Sequence, residues 1–468
     1  MSVRSFSNPN LPVVCVQGLG FVGSAMAVSI ASACNADGQP IFNVFGVDLP
    51  SESGLAAITA LNEGRFPSST TDVKLKSATK SAQVNRNLVA TAEESVYGLA
   101  EVIVCDINLD LAGDKRLPDV DFDMFEAGIR TIGRRMRPRT LVLVESTVPP
   151  GTCGRVVAPA LADELRCRNE DPNSFLLAHS FERVMPGDDY FDSIVNFWRV
   201  YAGHTPDAAV ACRDFFEKII NTRDFPMTEL ASTTASEITK IMENSFRAVN
   251  IAFVEEWARF AEVVKVDLYE VIGAIRKRPT HSNLMQPGFG VGGYCLTKDP
   301  LFAKISARRL FDLEGLSFPF SERAVEVNDA MPQVSLRRLD NMLGGLKGKC
   351  IALFGVSYRQ DVGDTRCSPS ETFFRAACGV GATIKAHDPL VIKWEELGLE
   401  LDPMLPIASS VDAAVFAVRH REYREMDVLA WTNGSKPAVL DANNVLSLKQ
   451  RKELRSVGCK VESIGIGE

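Results

Sequence analysis

The sequence predicts an α/β protein in which two doubly wound parallel-sheet domains are joined by a helical middle carrying one long helix. Three observations carry that expectation. Leu11 to Gln17 is an apolar run that passes directly into Gly18-Leu19-Gly20-Phe21-Val22-Gly23 and then into the small-residue stretch SAMAVSIASA, the order strand, glycine turn, helix. Thr234 to about Val264 holds neither Pro nor Gly. It repeats apolar residues at Ile238, Ile241, Met242, Phe246, Val249, Phe253, Val254 and Trp257, mostly at steps of three and four, which describes a helix. Lys349 to Gly355 opens a second series of strand, loop, helix and strand through SYRQDVGDTRCSPS, ETFFRAACGVG and ATIKAHDP.

A chain of 468 residues is too long for one hydrophobic core and suggests roughly three domains. The expected divisions are 1–225, 226–330 and 331–468. The formal charge of -8 argues against nucleic acid or an anionic membrane surface as the main partner, because phosphate backbones are bound by basic faces. Eleven cysteines without a CxxC pair read as a reduced, cytoplasmic protein with neither a disulfide framework nor a metal site. No apolar run reaches the ~18 residues of a membrane span.

In the first domain the glycines serve a tight turn, the approach of a pyrophosphate and close helix packing, while the helix start at Phe21 and Val22 faces the phosphates. The next strand, Ile41 to Val47, ends on Asp48, the acid expected to bind both ribose hydroxyls. A carboxylate there repels a 2′-phosphate, so the expected cofactor is NAD rather than NADP. Glu101 to Cys105 and Thr140 to Glu145 read as further strands, and Phe122 to Arg135 as a helix between them. The second of these strands runs into Glu145-Ser146-Thr147-Val148-Pro149-Pro150-Gly151-Thr152, which leaves the Thr147 hydroxyl at a strand's carboxyl end, where such sheets bind ligands. Glu182 and Arg183 stand side by side after the apolar run FLLAH, either as a site or as a surface ion pair. Thirty helical residues from Thr234 would span about 45 Å, enough to bridge domains or a subunit interface. Lys240 and Asn244 share one face of that helix. In the last domain, Asp412 to Val418 and Ala438 to Asp441 supply further strands, and Arg359 and Arg366 offer forked donors suited to phosphate.

The stretch Asn283 to Pro300 is the densest in chemistry. Gly288, Gly290, Gly292 and Gly293 let a backbone pass close to a neighbour or hold a positive φ, and they deliver one thiol, Cys295. A helix beginning near Gly293 would put Cys295 and Asp299 on one face at i, i+4. The thiol would then sit at a helix N-terminus, where partial positive charge favours thiolate. A tight turn with a structural cysteine has the same composition.

Taken in order, GLGFVG, ESTVPPGT, FERVMPG, EITKIMENSFRAVNIAF, NLMQPGFGVGGYCLTKDP, VNDAMP and SYRQDVGDTRCSP resemble the UDP-glucose/GDP-mannose dehydrogenase family over almost the whole chain. The resemblance implies an NAD-binding Rossmann domain, a central helical domain whose long helix makes a homodimer, and a C-terminal domain that binds a UDP-sugar. It implies oxidation of the sugar C6 hydroxyl to a carboxylate with two NAD. Cys295 would be the nucleophile, Lys240 and Asn244 the oxyanion holders, Asp299 and Thr147 the groups ordering water and sugar, and Glu182 the hydrolytic base. Gly18, Gly20, Phe21, Val22, Gly23, Asp48 and Thr147 would meet the cofactor. Arg183, His281, Gly292, Arg359 and Arg366 would join Glu182, Lys240 and Asn244 around the substrate.

This sequence departs from the family pattern at four places. Asp106-Ile107-Asn108-Leu109-Asp110 replaces the usual Val-Pro-Thr-Pro turn, and Ser68-Ser69-Thr70-Thr71 replaces a Glu-Pro pair. Tyr294 stands where His or Ser is common, and His281 where an arginine often meets the nucleotide. The FERVMPG and NLMQPGFGVGG forms look more like the branch acting on UDP-N-acetylhexosamines, such as UDP-N-acetylmannosamine, than the UDP-glucose branch. A two-electron hydroxyacid-type dehydrogenase, which needs neither Cys295 nor a second nucleotide domain, and an inactive sugar-nucleotide-binding homologue are the other readings.

Overall fold

Parallel strands buried on both faces must be apolar at consecutive positions, and the first half of the chain supplies six of them. A computed structural model describes residues 6–68, 70–113, 117–184 and 187–467. It resolves the chain into two units, one of residues 1–242 with 301–317 and one of 243–300 with 318–468. Two of the three divisions fall inside the helices Thr233–Val263 and Tyr294–Phe311, and the third lies just before the helix Pro319–Leu343.

In the first unit, β1 (Val13–Gln17), β2 (Asn43–Val47), β3 (Leu88–Thr91) and β4 (Val102–Cys105) are followed by a small hairpin, β5 (Leu111–Ala112) and β6 (Asp119–Val120). Then come β7 (Leu141–Val144), β8 (Leu176–Ser180), β9 (Val200–Gly203) and β10 (Thr228–Glu229). The sheet runs β10-β9-β8-β7-β4-β1-β2-β3, with the six from β3 to β8 parallel and β9 reversed. Without the hairpin and the last two strands, that is the dinucleotide-binding order, with its crevice where β1 and β4 diverge. Alternate residues serve opposite layers: Cys15, Ile103 and Val142 pack under the helices Phe122–Arg135 and Ala158–Cys167, while Val14, Val16 and Val104 pack under Phe21–Ala31. Every residue of Phe21–Ala31 after Val22 is buried, which the run of small side chains permits. The helix Phe122–Arg135 has the bounds its sequence predicts, capped by Asp121 and buried through Phe122, Phe125, Ile129 and Ile132.

The second unit holds β11 (Cys350–Phe354), β12 (Thr383–His387), the hairpin β13 (Lys393–Trp394) and β14 (Leu399–Glu400), then β15 (Ala413–Phe416), β16 (Ala438–Asp441) and β17 (Val461–Ser463). Its sheet is wholly parallel in the order β12-β11-β15-β16-β17. This is the other common doubly wound order, whose ligand crevice opens at the carboxyl ends of β11 and β15. The loop that begins at Ser357 leaves from that point. Helices Pro319–Leu343 and Pro369–Gly379 lie in this unit, as do residues 243–263 of the 31-residue helix Thr233–Val263. Among the described residues no helix is long and apolar enough to cross a membrane.

Candidate active site

The glycine turn of the first unit is shaped for close approach. Gly18 takes φ +90°, and a Cβ there would lie 2.5 Å from the carbonyl oxygen of Asp106. A Cβ on Gly23 would lie 1.9 Å from the Gly18 carbonyl oxygen, so helix and turn meet with no room for a side chain. Gly20, by contrast, faces open space. Phe21 and Val22, both partly exposed, begin the helix behind it. Asp48 accepts the Leu19 amide at 2.8 Å and the Leu49 amide at 2.7 Å, which fixes the turn against the end of β2. An open glycine, a helix start and an acid at the second strand end are the parts a dinucleotide needs, so these residues fit NAD.

At the carboxyl end of β7 stands the loop with Thr147. It is anchored by Glu237, the fifth residue of the long helix, whose carboxylate accepts Gly151 N at 2.5 Å and Cys153 N at 2.8 Å. Burial pushes the Glu237 carboxyl up to about 7 against the pull of these amides. One helical turn on, the buried Lys240 ammonium donates to the Glu182 carbonyl oxygen at 2.7 Å and to its carboxylate at 3.2 Å. The ammonium also lies 5.6 Å from the Phe181 ring centroid. Glu182 therefore takes Lys240 as its ion partner, while Arg183 stacks on Phe181 and donates to the Trp198 carbonyl at 2.7 Å. Met185 and Pro186 of the same motif lie outside the described residues.

The Asp106 that replaces the usual turn residue points inward. Its Oδ2 is buried beside Glu145, with Glu182 and Arg199 close by, and Arg199 forms an ion pair with Glu145. Burial, then the charges of Glu145 and Glu182, hold its carboxyl well above the usual carboxylate range, with Arg199 opposing. The sequence motifs quote Glu145 and Glu237 without a role and pass over Arg199. An isolated Arg in NFWRV carries no local signal, because its partners come from other strand ends.

In the second unit, Cys295 is the second residue of the helix Tyr294–Phe311, at the helix start expected near Gly293, and it is exposed. Gly293 ahead of it has φ +76°. The glycines before the thiol meet protein: Cβ atoms on Gly292 and Gly293 would lie 2.7 and 2.9 Å from Tyr358, and one on Gly290 2.5 Å from Pro369. They let the segment that leads into the thiol-bearing helix lie against the loop that follows β11. Asp299, one turn after Cys295, is buried and accepts from the amide of Asn244 at 2.7 Å. Its other oxygen lies 3.2 Å from Lys298. Arg366 grips Asp364 through both nitrogens, at 2.6 to 3.1 Å, and its guanidinium lies 4.9 Å from the Tyr294 ring. Arg359 is exposed, and so is His281, whose ring bonds the Thr280 hydroxyl at 2.9 Å. Among the described residues no group of three or more His, Cys, Asp or Glu is disposed to hold a metal ion.

Three models of one family match the chain. They are the NAD binding domain over residues 13–220, the central domain over 234–330 and the UDP binding domain over 352–448 of the UDP-glucose/GDP-mannose dehydrogenase family. The UDP-N-acetyl-D-mannosamine dehydrogenase of Pyrococcus horikoshii is 29% identical, over 92% of this chain and 96% of its own. The NDP-N-acetyl-D-galactosaminuronic acid dehydrogenase of Ralstonia nicotianae is 28% identical, over 88% and 92%. The solved UDP-D-ManNAc dehydrogenase of Pyrococcus horikoshii superposes with a TM-score of 0.80 at 26% identity, over 97% of this chain and 99% of that one. The chain belongs to the UDP-glucose/GDP-mannose dehydrogenase family and is an NAD-dependent nucleotide-sugar dehydrogenase.

Proposed function

We propose that this enzyme oxidises the C6 hydroxyl of a UDP-N-acetylhexosamine, UDP-N-acetylmannosamine foremost, to the uronic acid by two successive two-electron steps. The observation that carries the reading is the thiol of Cys295 at a helix start, one turn from a buried Asp299 that holds the amide of Asn244. An alcohol dehydrogenase that stopped at the aldehyde would need no such thiol. The motif forms FERVMPG and NLMQPGFGVGG and the names of the relatives support the acetylhexosamine branch over UDP-glucose.

NAD, when bound, accepts one hydride from C6 in each oxidation. The chain's own residues do the rest. The Cys295 sulfur, as thiolate, adds to the C6 aldehyde, and the carbonyl oxygen becomes an oxyanion held by the Lys240 ammonium and the Asn244 amide. Loss of the second hydride leaves a thioester. Glu182 takes a proton from water, the resulting hydroxide equivalent adds to the thioester, and the thiolate leaves as the uronate forms. Asp299 orients Asn244, and Thr147 and Asp299 order water and sugar. Arg359 and Arg366, with His281, Arg183 and Gly292, serve the nucleotide and its diphosphate.

We further infer a homodimer that works in the cytoplasm. Phe246, Phe253, Trp257 and Phe260 form an exposed aromatic stripe on the long helix, which a second copy would cover. None of the eleven cysteines is in a disulfide, as suits a reducing compartment.

The test is NADH release against a panel of UDP-sugars at saturating NAD. Turnover with UDP-N-acetylmannosamine or its gluco or galacto isomers, well above that with UDP-glucose, is the expected result. Preference for UDP-glucose would overturn the substrate reading.

A further inference from the structure

Beside the point where β1 and β4 diverge, the carboxyl ends of three strands and the start of the antiparallel β9 bring three carboxyl groups and an arginine together. Asp106 follows β4, Glu145 follows β7, Glu182 follows β8, and Arg199 precedes β9. Among the described residues, two buried cations pair with them. Arg199 pairs with Glu145, also reaching the Phe181 carbonyl oxygen at 3.4 Å, and Lys240 pairs with Glu182. One negative charge too many would remain if all three carboxyls were ionised, in a largely buried cluster. The leftover atoms show where the balance is struck. Asp106 Oδ2 and Glu145 Oε2 are both buried without a hydrogen-bond partner if each is only an acceptor, yet the two side chains are in hydrogen-bonding contact. A proton shared by the two carboxyls lets one donate to the other and brings the cluster of three acids and two bases to neutrality.

We propose that Asp106 keeps its proton at neutral pH and donates it to the Glu145 carboxylate, forming one buried acid pair that acts as a positioning group for Glu182. Asp106 packs on the glycine turn, its Cβ 3.1 Å from where a Cβ on Gly23 would stand. The pair thus lies between that turn and the side chain assigned above as the hydrolytic base. The charged and titratable groups that face it are Glu145, Glu182, Arg199 and the neighbouring Cys105 thiol, and Gly18 and Gly23 of the turn lie against it. The pair holds Arg199 to Glu145 and keeps a second negative charge away from Glu182 until the shared proton is lost. Only this last link, to Glu182 as base, rests on the function proposed above.

Infrared spectroscopy of the whole protein tests the pair without turnover. At pH 8 the other raised buried carboxyls, Glu237 and Glu255 near 7 and Asp441 near 6, are largely ionised. Wild type minus Asp106→Asn should then show the carbonyl stretch of one un-ionised carboxylic acid, shifted in D2O. Absence of that band overturns the pair. Glu145→Gln gives an independent reading should Asp106→Asn fail to fold. It frees Arg199 for Asp106, which should ionise, so the band should vanish although the aspartate remains; persistence of the band would contradict the arrangement. For the link to Glu182, the alkaline limb of the kcat profile should move up by a pH unit or more in Asp106→Asn, with KM changed less than twofold. An unmoved limb removes the link. Failure of every UDP-sugar to turn over would refute the proposed function, and the infrared band would still decide the pair.

Discussion

Lys240 is buried with its charge already spent on Glu182, so its removal leaves a carboxylate without its counter-ion as well as an oxyanion without its donor. Charge on the oxyanion develops only during reaction. Lys240→Ala is therefore expected to lower kcat by about 10²–10³-fold while UDP-sugar affinity, read by calorimetric titration, changes far less. Unchanged kcat at saturation, with affinity lost instead, would make Lys240 a substrate anchor. This pair of helix positions could be read from the sequence because i, i+4 spacing is local, and so could the placement of Cys295 and Asp299 on one helix. Asp106 could not be read in the same way. Its departure from the family pattern was visible, but its inward orientation depends on Glu145 and Arg199, which lie about 40 and 90 positions on along the chain and meet it only through the sheet.

At the scale of elements, the loop after β7 and the start of the long helix are joined by one carboxylate. Glu237 is raised to about 7 from an ordinary 4.5, so the folded protein binds its proton more tightly than the unfolded chain does. The stability this lends is fully present below pH 4.5 and is lost as pH rises to 7, a difference of order 2–4 kcal/mol. Glu237→Gln cannot titrate. Melting temperatures of the two proteins from pH 4.5 to 8 should show wild type losing ground to the variant through that window and then a constant gap. A gap independent of pH would mean that Glu237 does not hold its proton. The helices Phe122–Arg135 and Thr233–Val263 and the strand Ala438–Asp441 were legible because their periods and breakers are unambiguous. The hairpins Leu111–Ala112 with Asp119–Val120 and Lys393–Trp394 with Leu399–Glu400 were not, since two-residue strands carry no period.

For the whole molecule, the aromatic stripe predicts association. Sedimentation at micromolar concentration should give twice the chain mass of 51.1 kDa, and Trp257→Glu together with Phe253→Glu should return the monomer. A monomeric wild type would leave the stripe to another partner. The double winding of both sheets followed from the order of strands and helices in the sequence, whereas the different strand orders did not, because connection lengths alone leave both open. The central claim is that one chain carries an alcohol to an acid through a thiol. It is tested most directly by counting NADH against UDP-N-acetylmannosamine consumed, with mass spectrometry of the sugar, for wild type and Cys295→Ser. Two NADH per uronic acid from wild type, with acid formation largely lost in the variant, is the result expected. One NADH per sugar from wild type, or uronic acid made by Cys295→Ser at the wild-type rate, would contradict it.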